Sequence, residues 1–402
     1  MRFRSPTVIG LALALVGLGA PAVCAAQASS TTQSRSFTDS AAALGKSAPH
    51  PDLYAPGRKV VADIGRIVTP NGVQETFTAV LGGTRQVVNV RGADRANPIL
   101  LFIHGGPAAP EMPIAWAFQR PWEDFFTVVE WDQRGSGRSF PLEDTTTLAP
   151  TLSVDRYRDD AIELIELLRR KYGKRKVFVL GHSWGSIVGL SVAAKRSDLL
   201  YAYIGVGQVI DFQENERVGF EWTLDSARKD GNAKAVRELE ALRPYPGPGA
   251  FDISKMTTER NWSIHYGALA AYRDNADFYF DAGHLSPEYG PADLKAWDDG
   301  SAFTIRTLFP KLGDVSFEHL NELDVPVILF LGAHDYTTPS SIAADWLRRL
   351  TAPKKLAVWF EHSAHLPMME EPGKFLVHLV HDALPLAEAG DGAPAAAGGR
   401  SR

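Results

Sequence analysis

Cysteine is almost absent. The 402 residues include one, Cys24, which excludes a disulfide framework and paired-thiol chemistry. A surplus of positive charge is absent too. Lys and Arg total 42 against 47 Asp and Glu, a net charge of -5, so nothing in the charge balance points to nucleic acid. No apolar run reaches the ~20 residues of a membrane-spanning helix. No repeat with a period of ~20–50 residues is visible, and no cluster of ligating side chains suggests a metal. What remains is ordinary: 45% apolar and 22% charged residues, enough for a sizeable core.

The N-terminus reads as an address. Arg2 and Arg4 precede an apolar run over 8–18, which Gly17, Gly19 and Pro21 then break. Ala26-Gln27-Ala28 supplies small residues at cleavage spacing. The pattern predicts a signal peptide over 1–28 and a periplasmic or secreted protein, with no membrane contact after cleavage. Cys24 raises a lipoprotein alternative, but Pro21 and Val23 sit poorly in a lipobox. Residues 29–51 are Ser/Thr/Ala-rich and read as a flexible segment, and 386–402 as an Ala/Gly-rich disordered tail.

Between these ends, residues 74–80 and 86–90 alternate apolar and polar around Gly82-Gly83, as in an antiparallel hairpin. Then come short continuous apolar runs at 99–103, 127–131, 177–180, 203–206 and 327–331, ahead of a last strand at 356–360. Such runs suit strands buried on both faces of a parallel sheet. A helix is expected after Ser153, with Val154, Tyr157, Ala161, Leu164, Ile165 and Leu168 on one face and Gly173 at its end. Strands alternating with helices make the fold class α/β. The alternation stops over 208–312, where 15 of the chain's 40 aromatics gather in helical patterns. That stretch reads as a helical cap between a first core part, 52–207, and a second, 313–385. Most of the aromatics are expected to form the cap's own core.

Gly181-His182-Ser183-Trp184-Gly185 follows the run at 177–180 and precedes a helical pattern. G-x-S-x-G at a strand-to-helix junction exposes the serine on a sharp turn, and makes Ser183 the candidate nucleophile. A serine needs a histidine to take its proton and a carboxylate to hold that histidine. Asp335 lies just past the run at 327–331. Two histidines follow the last run, His362 and His365. His365, further out on its loop and ahead of Leu366-Pro367, is the candidate base.

The set His104-Gly105-Gly106-Pro107, WDQRGSGRS (131–139), GHSWGS (181–186), GAHDYTTP (332–339) and SAHLP (363–367) resembles the proline iminopeptidase (prolyl aminopeptidase) family of α/β-hydrolases. The resemblance covers about residues 72–382. It implies a mostly parallel sheet with a helical cap, a Ser-His-Asp mechanism through an acyl-enzyme, and no cofactor or metal. The partner it implies is a small peptide that loses its N-terminal residue, often proline. It also implies an oxyanion hole from the N–H of Trp184 and from the loop after the third strand. There Gly106 is the expected donor and Gly105 the next. His104 is expected to brace the loop, and Asp132 with Arg134 to form a buried bracket.

The resemblance thins in two places. The family's HGGPG is here HGGPA, with Ala108 where a glycine can take positive φ. Cap carboxylates bind the substrate's ammonium in this family, and the candidates here are Glu214 and Glu216, in IDFQENER over 210–217. Their ordinary reading is a solvated helix face. An esterase or amidase on small acyl substrates would use the same triad. A non-catalytic binding module is the third reading, but such proteins usually lose a triad member and none is missing here.

Overall fold

A computed structural model describes residues 52–387. The expected signal peptide over 1–28, the segment 29–51 up to Pro51, and everything past Ala387 lie outside the described residues. Gly82 and Gly83 take φ of +53° and +78°, which side chains resist. The chain therefore reverses in two residues, and β1 (Val73–Leu81) pairs antiparallel with β2 (Thr84–Gly92).

The continuous apolar runs become β3 (Ile99–Ile103), β4 (Thr127–Asp132), β5 (Val177–His182), β6 (Leu200–Val206) and β7 (Val327–Gly332). Every residue in these five strands is buried. At the edge, β8 (Lys355–Phe360) buries only Val358 and Phe360. The eight strands form one sheet in the order β1-β2-β4-β3-β5-β6-β7-β8. β2 pairs antiparallel with β1 and β4, and all other pairs are parallel. Alternate residues of β3 feed two apolar clusters, Leu101 one and Phe102 the other.

Ser153 caps the helix Val154–Tyr172 by accepting the Arg156 N–H at 3.2 Å. Gly173 ends it at φ +65°. Its apolar face packs on the helix Trp184–Lys195, which is buried along most of its length. Gly189 lets that helix close on the sheet: a Cβ there would meet the Tyr203 ring at 2.7 Å.

Between β6 and β7 the chain is helical: Phe212–Lys229, Ala233–Glu240, Ile253–His265, Asp277–Asp281 and Pro291–Leu308. Asp211 opens the first by accepting the Glu214 N–H at 2.8 Å. Phe212, Phe251 and Phe309 pack together at centroid distances from 5.2 to 5.4 Å, a core belonging to this layer. Trp222 instead stacks on Tyr336 at 4.2 Å and so touches the loop after β7. At the other end, Leu386 packs against an apolar cluster and Ala387 is buried in it. Those two residues are part of the folded body and not the start of a tail, because their side chains are needed to finish that cluster.

Candidate active site

Ser183 stands at the end of β5 with φ +53° and ψ -119°. A non-glycine residue held there stores ~1–3 kcal/mol and persists only where its surroundings over-determine it. The surroundings do so here. A Cβ on Gly181 would lie 2.4 Å from Gly185 O, and one on Gly185 would lie 1.9 Å from Ile103 O. The Ser183 N–H donates to Val206 O at 2.9 Å, and its carbonyl accepts the Ser186 N–H at 2.8 Å and hydroxyl at 2.6 Å. Backbone strain and backbone bonding together lift the side chain off the sheet edge.

Asp335 and His365 come together from the loops after β7 and β8. His365 Nδ1 lies 2.9 Å from Asp335 Oδ2. Thr338 completes the corner: its N–H donates to Asp335 Oδ1 at 2.8 Å and its hydroxyl to Oδ2 at 2.9 Å. Burial pushes the His365 pKa below its ordinary value, against the opposing pull of Asp335. The competing His362 is exposed, within 3.4 Å of the Tyr272 hydroxyl.

Among the described residues, no hydrogen bond joins the Ser183 hydroxyl to His365; the contacts between them run through neighbours. Val206 O holds the Ser183 N–H, and the next residue, Gly207, lies so close to the His365 ring that a Cβ would meet Cε1 at 2.6 Å. His182, beside Ser183, holds the His365 carbonyl with Nε2 at 3.0 Å. A hydroxyl reorients about one bond, and catalytic hydrogen bonds of this kind tighten on substrate.

The loop after β3 lies directly against the nucleophile. A Cβ on Gly105 would sit 3.2 Å from Ser183 Cβ. Gly105, the second expected oxyanion donor, has a partner elsewhere. Its N–H donates to Glu111 Oε2 at 3.2 Å, so that hydrogen is committed. Gly106, at φ +110°, makes no hydrogen bond through its N–H to any described residue. A Cβ there would collide with Ala109 N at 2.5 Å. Trp184 N–H opens the helix Trp184–Lys195, where no preceding turn offers an acceptor. Ala108 adopts the left-handed conformation itself, at φ +63°, and its carbonyl accepts from Ser301 of the cap. The departure from the family pattern is thus absorbed as local strain, of order 1–2 kcal/mol.

His104 is a brace: Nδ1 is 2.9 Å from Gly105 O, and Nε2 accepts the Gln133 N–H at 3.2 Å. Burial pushes its pKa down to about 4, so it stays neutral. Gln133 ties the two loops, donating to His104 O and accepting from the Trp184 indole, both at 3.0 Å. The expected Asp132–Arg134 bracket has other partners. Arg134 pairs with Asp160 at 2.8 Å, both fully buried, and Asp132 accepts the Tyr289 hydroxyl at 2.5 Å and the Arg138 N–H at 2.9 Å.

The two cap carboxylates part company. Glu214 is half-exposed and forked onto Arg217 at 2.6 and 2.7 Å. Glu216 is 1% exposed; it accepts the Tyr245 hydroxyl at 2.6 Å and pairs with Arg260. Arg260 also pairs with Glu259, which is fully buried and takes the Thr223 hydroxyl at 2.9 Å. Burial raises the Glu259 pKa.

Sequence reasoning missed Glu111. This buried carboxylate holds the Gly105 N–H and lies 2.6 Å from His182 Nδ1. A signal was available: Glu111 is the one Asp, Glu, Lys or Arg over residues 96–119. Glu370 was also missed. It accepts the N–H groups of Ala364 and Leu366, on either side of His365, and of Ala271 in the cap. An acidic pair before a proline gives no hint of that role.

Comparison with known proteins agrees with this fold. The family model for the alpha/beta hydrolase fold matches residues 98–372. A probable aminopeptidase of Bacillus subtilis, YbaC, is 31% identical over 299 residues, covering 73% of this chain and 92% of its own. A proline iminopeptidase of Heyndrickxia coagulans is 23% identical, covering 75% of this chain and 96% of its own. In fold, the crystal structure of a Mycobacterium smegmatis proline iminopeptidase matches with a TM-score of 0.57 at 18% identity, over 79% of this chain and all of that one. The chain belongs to the α/β-hydrolase fold family, in its proline iminopeptidase (prolyl aminopeptidase) branch, and is a hydrolase.

Proposed function

We propose that the chain is an exported serine hydrolase that removes an N-terminal residue, proline or a small apolar one, from small peptides. The observation that carries this reading is Ser183 held at φ +53° against Gly105, with the buried His365–Asp335 pair beside it. Ser183 attacks the scissile carbonyl while His365 takes its proton through Nε2, the nitrogen that Asp335 leaves free. Asp335 fixes the tautomer and balances the imidazolium. The N–H groups of Gly106 and Trp184 hold the oxyanion, each worth about 3–4 kcal/mol. His365 then protonates the leaving amine, and water releases the acyl group from Ser183 by the reverse route.

The names of the relatives support the aminopeptidase reading. So does the cap cluster. Glu216 and Glu259 share the single guanidinium of Arg260, so both carboxylates ionised leave one negative charge unanswered. A substrate ammonium would answer that charge, and an N-blocked substrate would leave it buried and unpaired. Glu214, turned to Arg217, takes no part. Export rests on Arg2, Arg4, the run at 8–18 and Ala26-Gln27-Ala28. It implies a mature chain beginning at Ser29 that meets neither membrane nor nucleic acid.

One observation favours the esterase or amidase reading: Glu216 already has a cationic partner in Arg260. The test is a panel of prolyl, alanyl and glycyl arylamides, each with a free and a blocked amine, beside simple esters. Preference for the free amine supports the aminopeptidase. Equal turnover of free and blocked pairs selects the alternative.

A further inference from the structure

A further recess lies among residues other than the triad. It is a cavity of about 240 Å³ between β2, β4, the residues 112–123, the helix Ala55–Ile64 and the cap residues Pro287 and Glu288. None of Ser183, His365, Asp335 or the residues 104–107 lines it. The volume is several times the ~30 Å³ share of one water in the liquid.

Its polar lining is unevenly satisfied. Arg91 is spent on Glu123 at 2.7 Å and Glu288 at 3.2 Å. The Gln119 amide donates to Glu123 at 2.9 Å, and Asn89 to Glu288 at 3.1 Å. Two acceptors have nothing: Gln119 Oε1 and Glu130 Oε1. Both side chains are only 2% exposed, and the Glu130 carboxyl bonds to no described residue. A buried carboxyl without a partner is costly and calls for an explanation.

The imbalance has a sign. Both unpartnered atoms are acceptors, and the lining holds three carboxyl groups (Glu123, Glu130, Glu288) beside two guanidiniums (Arg91, Arg120). No three His, Cys, Asp or Glu side chains among the described residues are arranged to hold a metal ion. The rest of the lining includes apolar side chains: Val61, Ile64, Met112, Ala115 and Trp116. A fitting occupant brings N–H donors and positive charge at one end and hydrocarbon at the other.

We propose that this cavity is a binding site for a small alkylammonium ion, its N–H groups donating to Glu130 and Gln119 and its chain lying against Met112, Ala115 and Trp116. The surroundings fit. Burial and the nearby Glu111, Asp132 and Glu123 push the Glu130 pKa well above the carboxylate range. That direction favours the protonated carboxyl while no cation is beside it, and an ammonium there would favour the carboxylate.

Calorimetric titration of the full chain with n-butylammonium chloride tests this at pH 7. The expected result is one site, with proton release seen as a dependence of the heat on the buffer's ionisation enthalpy. Tetramethylammonium, which has the charge but no N–H, should bind at least about tenfold more weakly. Glu130→Gln should weaken butylammonium by a similar factor. Ala115→Phe, which fills the cavity without touching an acceptor, should abolish binding and stands in if the Glu130 variant does not fold. Glu216→Gln should leave it unchanged, since the cap cluster would be another place for an amine. No binding, equal binding of the two cations, indifference to both cavity variants, or loss in Glu216→Gln would each overturn the proposal.

Discussion

A Cβ on Gly185 would come within 1.9 Å of Ile103 O, whereas on the first cap helix Glu214 reaches solvent and Glu216, two residues on, is sealed against Arg260. The first contact is backbone against backbone, and only glycine permits it. The second depends on which face of a helix meets which neighbour. The strand-end loops are specified by residues without alternatives and leave a fingerprint in the sequence. The cap is specified by packing, and its chemistry depends on partners distant along the chain: Glu216 finds Tyr245 and Arg260. On the reading proposed above, one region performs the reaction and the other chooses what undergoes it.

That division can be broken experimentally, most severely at the loops. Ser183→Ala should lower kcat by at least about 10⁴-fold, leaving the residual rate of oxyanion hole and binding. Unchanged turnover on a prolyl arylamide, with the fold intact by circular dichroism, would remove Ser183 from the chemistry. Glu111→Ala should strike stability and rate together. It strips the partner from the Gly105 N–H and from His182, and removing one member of a buried, bonded set costs about 3–5 kcal/mol. Urea denaturation should show that loss; a change below about 1 kcal/mol would demote Glu111 to a bystander.

The pH profile probes the same loops more gently. His365 works as a base only when neutral, and burial lowers its pKa. The acid limb of kcat/KM should therefore have its midpoint below the ordinary histidine value of about 6.5, with activity lost as pH falls through it. A midpoint at or above that value would mean that Asp335 outweighs burial. The smallest effects should come from the cap. Glu216→Gln should reduce the preference for free over blocked amines by about tenfold, a modest discrimination for one charge. Glu214→Gln should change it less than about twofold, being a solvated pair. Equal effects of the two substitutions would erase the distinction between the faces of that helix.

Much of this was legible beforehand because the signals are local. Continuous apolar runs became the buried strands, Gly82-Gly83 became the hairpin turn, and Ser153 and Gly173 bounded a helix. The elbow at Ser183 and the loop positions of Asp335 and His365 follow from short motifs. What was not legible depends on the third dimension. Gly105 looked as free as Gly106 until Glu111 was seen to take its N–H. Arg134 looked like the partner of Asp132 but reaches Asp160, 26 residues away. The last described residues, Leu386 and Ala387, looked like tail because alanine and leucine carry no sign of the cluster they pack into.

Central to the account is an activated serine at 183, and the most direct measurement is covalent. A fluorophosphonate reacts with a serine only when a base and an oxyanion hole assist it. Intact mass and peptide mapping should find one phosphonate per chain, on Ser183, and none after His365→Asn at the same exposure. Labelling elsewhere, or full turnover of a prolyl arylamide by a chain that takes no label, would contradict it.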